Sequence, residues 1–307
     1  MDFNLPRTLG EDSRAEEIYN RWLKTGNIYV PARDTVDVPT LASGTYTVFQ
    51  DQNTGQLKAE AFNLSTDELY YLPNNKINTV VEEITSFWGK AEKFKQYKVK
   101  HKRGILFMGP QGMGKTSLVN LLVASILERD GLVFYVNSVA ELFLYIEFAN
   151  KCLRGIEPNR PVITVFEDID KYMDGSGVES TLLNFLDGSD SLDHHVTLAT
   201  TNRLDHLNDL LLRPSRFDWL VEVDKPSVEV RKVFFVRKGL EPSVAAKWAK
   251  DTDGYSIAEM KELFSSVVLL EIDYEQVKDK LKKQKDEVGT QTFKKKAKKG
   301  IGFLDRD

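Results

Sequence analysis

The chain has 307 residues, of which 41% are hydrophobic, 10% aromatic and 29% charged, an ordinary composition for a soluble globular protein with a sizeable core. The formal net charge of −4 argues neither for nor against a polyanionic partner, and the single cysteine, Cys152, excludes an intramolecular disulfide. No run of 18 apolar residues is present to cross a membrane.

The opening Met1-Asp-Phe-Asn-Leu-Pro6 has no basic segment followed by an apolar run, so no signal peptide is expected and a cytoplasmic location is. Residues 1–72 read differently from the rest. Glu11–Lys24 predicts a helix with Ile18, Trp22 and Leu23 on one face, followed by a Pro- and Thr-rich stretch. Thr45–Gln50 and Gln56–Phe62 predict two strands around Asn53-Thr-Gly55, a hairpin. The segment carries no chemical motif, and a small α+β accessory or adaptor domain is expected over 1–72.

Residues 73–225 show a different rhythm. Val80–Lys95 predicts a helix. Gly104–Met108 predicts a strand, and Thr116–Arg129 a helix with Leu118, Leu121, Leu122, Ala124 and Ile126 available to a core. Leu132–Asn137 predicts a strand and Ser138–Leu153 a helix. Three more strands are expected at Val162–Phe166, Val196–Thr200 and Trp219–Val223. Strands alternating with helices imply right-handed βαβ crossovers and a largely parallel, buried sheet, an α/β fold, and with Gly109–Thr116 between a strand and a helix it resembles the P-loop NTPase kind. Beyond Pro226 only helices are expected, over Val228–Lys238, Ser243–Lys250 and from Ile257 to about Lys283, forming a helical lid over 226–275. The tail, 276–307, is Lys-rich: residues 278–299 hold ten lysines against Asp279, Asp286 and Glu287, a local charge of +7.

Three groups of residues carry chemistry. The first is Gly109-Pro110-Gln111-Gly112-Met113-Gly114-Lys115-Thr116, followed by Ser117, between a strand and a helix. Its glycines let backbone N–H groups surround phosphate oxygens, and the next helix offers its N-terminus to negative charge. Lys115 is expected at the β- and γ-phosphates of ATP and the Thr116 hydroxyl on Mg²⁺. The second is Glu167-Asp168, at the C-terminal end of a buried strand, where ligands bind in open α/β sheets. By position Glu167 is the acid on the metal side, and Asp168 is the candidate base for the attacking water. The third is Asn202, just past a strand end and able to orient a water, with Arg213 and Arg216 around a Pro-Ser turn as candidate arginine fingers.

The combination resembles the AAA branch of the AAA+ ATPases, over about Asn75 to Leu270. Its most specific pieces are Ala199-Thr-Thr-Asn-Arg203 and Leu212-Arg-Pro-Ser-Arg-Phe-Asp218, similar to the family's second region of homology. Gly254-Tyr-Ser-Ile-Ala-Glu259 looks like the family's lid segment near the adenine, which usually has no sensor arginine; none is seen here. Within the branch the chain most resembles the Rieske-protein translocase-like (bc1-synthesis type) ATPases and their microbial and viral relatives. That likeness rests on Arg103-Gly104, on the Glu-Asp order at 167–168, and on Leu182-Leu-Asn-Phe-Leu-Asp-Gly188. Those translocases begin with a membrane helix that is not found here, so no membrane partner is carried over. The resemblance implies a ring of six or seven identical subunits, with Arg213 and Arg216 reaching into the neighbour's nucleotide site. A head-to-tail contact that closes generates such a ring.

What the protein acts on is less legible. The interval Asn137–Asn150, where many relatives carry an aromatic pore loop, has no glycine. Phe143, Tyr145 and Phe148 are therefore read as helix-face packing, and remodelling of a protein or complex is favoured over threading a chain. The Lys-rich tail reads as a solvated helical extension; as an arm for nucleic acid it holds one aromatic, Phe293, for stacking. Ile301-Gly-Phe-Leu304 could be a short docking motif. His194-His195 reads as a surface loop and Cys152 as packing. The leading function is ATP hydrolysis coupled to remodelling or translocation of a protein or complex. The alternatives are a nucleic-acid-associated ATPase and an assembly scaffold controlled by nucleotide.

Overall fold

The computed structural model describes residues 21–25, 28–32, 40–64, 75–173, 175–187 and 190–285. The chain falls into two units, residues 1–41 and 42–307. In the first, strands β1 (Arg21–Thr25) and β2 (Ile28–Ala32) form an antiparallel ribbon with Thr25 opposite Ile28. The helix expected over Glu11–Lys24 is corrected where it can be seen: residues 21–24 are strand, and 11–20 lie outside the described residues. Gly26-Asn27 between two β-rich pentapeptides is the hairpin signal that the helical periodicity masked.

The second unit is built on a seven-stranded sheet. Its strands are β3 (Gly44–Gln50), β4 (Leu57–Phe62), β5 (Lys102–Met108), β6 (Leu132–Val136), β7 (Val162–Phe166), β8 (His195–Thr201) and β9 (Trp219–Glu222). Their order is β4-β3-β6-β7-β8-β5-β9, with β4 antiparallel to β3 and every other pair parallel. Every residue of β6, β7 and β8 is buried, as strands covered by helices on both faces require.

The β3–β4 hairpin corrects the expected domain boundary at residue 72. It does not belong to a separate N-terminal domain. β3 pairs with β6 in the register Thr45↔Val133, and the Tyr46 ring packs 5.6 Å from that of Phe134. The cause is energetic. β6 is buried throughout and needs a backbone partner on each side, and β3 supplies one while burying Tyr46 and Val48.

Helices α1 (Asn75–Phe87), α2 (Ala91–Gln96) and α3 (Lys115–Leu127) come next in the chain. α1 lays Val80, Ile84 and Phe87, and α3 lays Val119, Leu122, Val123 and Ile126, into one core with Ile105, Phe107, Ile163 and Leu198. α4 (Val139–Phe148) runs through a π-helical turn, Ala149–Leu153, into the short α5 (Arg154–Ile156). On α4, Tyr145 and Phe148 are buried as expected, but Phe143 is 47% exposed and is not packing. α6 (Ser176–Asp187), whose Leu182, Phe185 and Leu186 are buried, was not anticipated as a helix.

After β9 come α7 (Val228–Arg237), α8 (Pro242–Asp251), α9 (Ile257–Phe264) and a last helix, α10, over 274–285. They share a core of Phe234, Phe235, Ala245, Trp248, Met260, Leu263, Val277 and Leu281. The helix expected to run unbroken from Ile257 is interrupted. It relaxes into a π turn at Ser265–Leu269, Glu271 takes φ +56°, and the Asp273 carboxylate accepts from the Gln276 N–H to start α10. The lysines beyond 285 lie outside the described residues. Among the described residues no helix is long and apolar enough to cross a membrane.

His195 is also corrected, from loop to core. It sits in β8, 3% exposed, with Nε2 2.7 Å from Thr164 Oγ1, which lies 2.6 Å from the Tyr145 hydroxyl. Desolvation, reinforced by the Arg154 and Lys102 cations, holds its pKa well below the ordinary value, so the ring is neutral.

Candidate active site

β5 delivers the chain to the glycine loop, and α3 begins at Lys115, so the helix N-terminus faces the same space as the loop. Gly112 shows why the loop needs glycine. It holds φ +80°, and a Cβ there would lie 3.0 Å from the Ala258 Cβ of α9. The Ala258 N–H donates to the Gly112 carbonyl at 3.1 Å, which seats α9 on the loop. A capping box fixes where α9 starts: Ser256 accepts from Glu259 N–H, and the Glu259 carboxylate accepts from Ser256 N–H.

Around the loop is a cavity of about 290 Å³. Gln111, Gly112, Gly114, Lys115, Thr116, Ser117, Glu167, Asp168 and Asn202 line it, so most of the expected site residues do converge. Gly109 and Pro110 contribute carbonyls, each accepting from Lys115 Nζ, at 2.7 and 2.8 Å. The Met113 side chain is buried in the core and does not line the cavity.

The charged groups are linked rather than merely close. Lys115 Nζ donates to Asn202 Oδ1 at 2.5 Å, and Asn202 Nδ2 donates to Asp168 Oδ1 at 2.8 Å. Asp168 holds a left-handed backbone, φ +51°, and its N–H donates to Thr200 Oγ1 at 3.0 Å. Burial lowers the pKa of Lys115, while the Asp168 charge opposes that shift. Thr201 Oγ1 donates to Asp170 at 2.8 Å and accepts from the Arg203 N–H at 3.0 Å, fixing the strand end that presents Asn202.

Of the remaining walls, Ile257 and Ala258 fall in the Gly254–Glu259 segment that the resemblance put near the adenine, and sequence reasoning missed Thr200 and Lys261. Thr200 was findable, because a side chain two residues before Asn202 on a strand faces the same way. Lys261 was not, because only the tertiary fold brings its turn of α9 to the loop.

Arg213 and Arg216 do not line the cavity. Arg213 is exposed. Arg216 is half-buried, its Nη1 donates to the Leu210 carbonyl, and its Nε is buried without a hydrogen-bond partner. Their turn is braced by β5. Lys102 Nζ donates to the Ser215 and Leu186 carbonyls at 2.8 and 2.6 Å, and Arg103 lies between Glu83 and Asp218. Gly104 exchanges hydrogen bonds with Asp218, and a Cβ there would lie 1.9 Å from the Arg216 carbonyl oxygen.

Residues 105–225 match the family described as "ATPase family associated with various cellular activities (AAA)". The chain carries an AAA ATPase domain. Its matched segment runs from β5 to just past β9, so the β3–β4 hairpin and α7–α10 lie outside it although β3 shares the sheet. The AAA domain is also similar to proteins described as ATP-dependent zinc metalloproteases. FtsH 1 of Thermomicrobium roseum is 32% identical over 212 residues, covering 62% of this chain and 32% of that protein. FtsH of Halothermothrix orenii is 28% identical over 219 residues, 64% of this chain and 34% of its own length. FTSH 2, chloroplastic, of Oryza sativa subsp. japonica is 30% identical over 210 residues, 61% and 30%. The chain spans about a third of the length of these relatives, and their metalloprotease function is theirs.

AAA ATPases use ATP with Mg²⁺, and the AAA domain fits both. The space above Gly112 is a cradle that a Cβ would narrow, beside a helix N-terminus and the Lys115 ammonium. Thr116 and Glu167 line the same cavity and carry oxygens of the kind a hard divalent cation takes.

Proposed function

We propose that this chain hydrolyses ATP as a head-to-tail ring of identical copies and couples the reaction to remodelling of a protein or complex. The observation that carries the reading is the Lys115–Asn202–Asp168 chain of hydrogen bonds inside the glycine-loop cavity, while the exposed Arg213 stands on a turn outside it. The loop N–H groups and Lys115 bind the phosphates. Thr116 and Glu167 would hold Mg²⁺, which would supply positive charge at the phosphate oxygens. Asp168 takes the proton of the attacking water, and Asn202, held by its hydrogen bond to Asp168, orients that water. Lys115 exchanges its carbonyl and Asn202 partners for phosphate oxygens when nucleotide enters.

A cation is needed where charge builds on the transferred phosphoryl group, and Arg213 of a neighbouring copy supplies it. Arg216, turned back toward Leu210, shapes the turn and follows Arg213 into the neighbour's site. Within the family, Arg103-Gly104, the Glu167-Asp168 order and the Leu182–Gly188 sequence favour kinship with the Rieske-translocase-like members. Burial of Tyr145 and Phe148 supports remodelling over threading, because Phe143 is the one exposed aromatic of that helix.

The test is phosphate release by the purified full chain with Mg²⁺ and ATP, alongside particle mass. Steady turnover in a ring, lost together with nucleotide binding in Lys115→Ala, is the expected result. A wild-type chain that binds ATP but never releases phosphate as an assembled ring would instead be a nucleotide-controlled scaffold.

A further inference from the structure

We propose that Glu83 of α1 is a positioning residue for Arg213 and Arg216: through Arg103 and Trp219 it fixes the turn from which those cations reach a neighbouring copy. The proposal rests on the reading that the two arginines act in that copy's site.

The turn does not hold itself unaided. The Arg216 and Phe217 N–H groups both donate to the Arg213 carbonyl, at 3.1 and 3.3 Å, and Ser215 takes φ +76°, a left-handed backbone that a serine adopts at a cost. Lys102 grips the Ser215 carbonyl, and Asp218 grips the rest. Asp218 Oδ1 accepts from the Ser215 N–H at 3.4 Å and Oδ2 from the Gly104 N–H at 3.0 Å, while its own N–H donates to the Gly104 carbonyl at 2.8 Å.

Glu83 completes this brace from a helix. Trp219 Nε1 donates to Glu83 Oε2 at 2.6 Å, and the buried Arg103 Nε lies 3.3 Å from Glu83 Oε1, an ion pair not aligned as a hydrogen bond. Arg103 Nη1 lies 3.6 Å from Asp218 Oδ1, the oxygen that holds Ser215. Trp219 follows Asp218 in the chain and Arg103 precedes Gly104, so the contacts form a closed circuit of Glu83, Trp219, Asp218, Gly104 and Arg103. One guanidinium thus stands between two carboxylates. With Glu83 removed, Arg103 is drawn wholly to Asp218 and pulls Oδ1 away from the Ser215 N–H. The carboxylate comes from a rigid support, since Val80, Ile84 and Phe87 fix α1 in the core. Glu83 itself is half-buried, and alanine favours a helix, so its replacement leaves α1 intact. Glu83 and Arg103 both precede the residues 105–225 that match the family, so this brace lies in a part of the chain that the match does not cover.

The experiment measures phosphate release by the full chain carrying Glu83→Ala, alone and mixed in equal amounts with Lys115→Ala or with the Arg213→Ala, Arg216→Ala double variant. Alone, Glu83→Ala should bind a slowly hydrolysed ATP analogue within about twofold of wild type and turn over roughly tenfold more slowly, because its own site is intact and only the arriving cation is misplaced. Mixing with Lys115→Ala brings well-placed arginines and should raise turnover per Glu83→Ala subunit. Mixing with the arginine double variant should raise nothing. Glu83→Gln keeps an acceptor for Trp219 and loses the charge facing Arg103; it should follow the same pattern, and it decides the matter where the alanine variant does not fold. Wild-type turnover in Glu83→Ala overturns the proposal. So does recovery with both partners, which would mean its arginines are still in place, and recovery with neither, which would put the damage in its own site. If Lys115→Ala and the arginine double variant do not restore each other, the ring reading itself falls, and the proposal with it.

Discussion

Asn202 stands between the two charges of the site, accepting from Lys115 and donating to Asp168. Without it, ammonium and carboxylate would be drawn together and the water position lost. Asn202→Ala should therefore lower kcat by about 100-fold, the scale of a positioning group, with ATP affinity changed only a few-fold. Asp168→Asn is the cleaner test of the base. Asparagine tolerates the left-handed backbone that Asp168 adopts, so the loop survives while proton acceptance is removed. ATP should bind and phosphate release should fall by at least ~100-fold in single-turnover measurements. Retained turnover would move the base elsewhere.

His195 makes a different residue-scale prediction. Its folded pKa is depressed, so between that value and the unfolded value near 6.5 the unfolded chain binds more protons. Stability is fully present above about pH 6.5 and is lost as pH falls, by up to ~1.4 kcal/mol per pH unit. His101 acts in the same direction: desolvation lowers its pKa, against the opposing contact of its Nε2 with the Phe87 carbonyl at 2.9 Å. Thermal unfolding at pH 7.5 and 5.5 should show the drop, and His195→Gln should flatten part of it. A melting temperature independent of pH across that range would refute the account.

At the scale of elements, β5 has two jobs. Its C-terminal end opens into the glycine loop, and its first three residues brace the turn that carries Arg213 and Arg216. The same strand thus touches the chain's own nucleotide cavity and the cation it would offer to a neighbour. Gly104 is the tight point, since backbone from the Arg216 side passes where a side chain would stand. Gly104→Ala should cost about 3 kcal/mol by overpacking, lowering Tm by roughly 10 °C, and should displace the turn. Differential scanning calorimetry reads the first effect, and loss of ATPase turnover at temperatures where the variant remains folded reads the second.

For the whole molecule, the decisive question is whether one copy completes another. Lys115→Ala removes a subunit's own binding site but leaves its arginines. Arg213→Ala combined with Arg216→Ala does the reverse. Each alone should be inactive. Mixed in equal amounts, they should regain a measurable part of wild-type turnover, because some interfaces then pair an intact site with intact arginines. Full activity in a dilute monomer would refute the ring.

From residues alone, the phosphate loop, the paired carboxylates and Asn202 were legible as parts of one cavity, because each is a local pattern whose chemistry requires given residue types at given spacings; the two arginines, read in the same way, stand outside that cavity. The parallel sheet was legible too, since strands buried on both faces must be continuously apolar. Tertiary structure alone decided the rest. It drew β3 and β4 into the main sheet, because β6 needed a partner and Tyr46 and Val48 needed cover. It buried His195 beside Thr164 and turned Met113 into the core. It also brought Lys261, 146 positions after Lys115 in the chain, to the wall of the same cavity. No local pattern encodes that meeting, because it depends on where the packing of α7–α10 seats α9 against a glycine that has no side chain to keep it away.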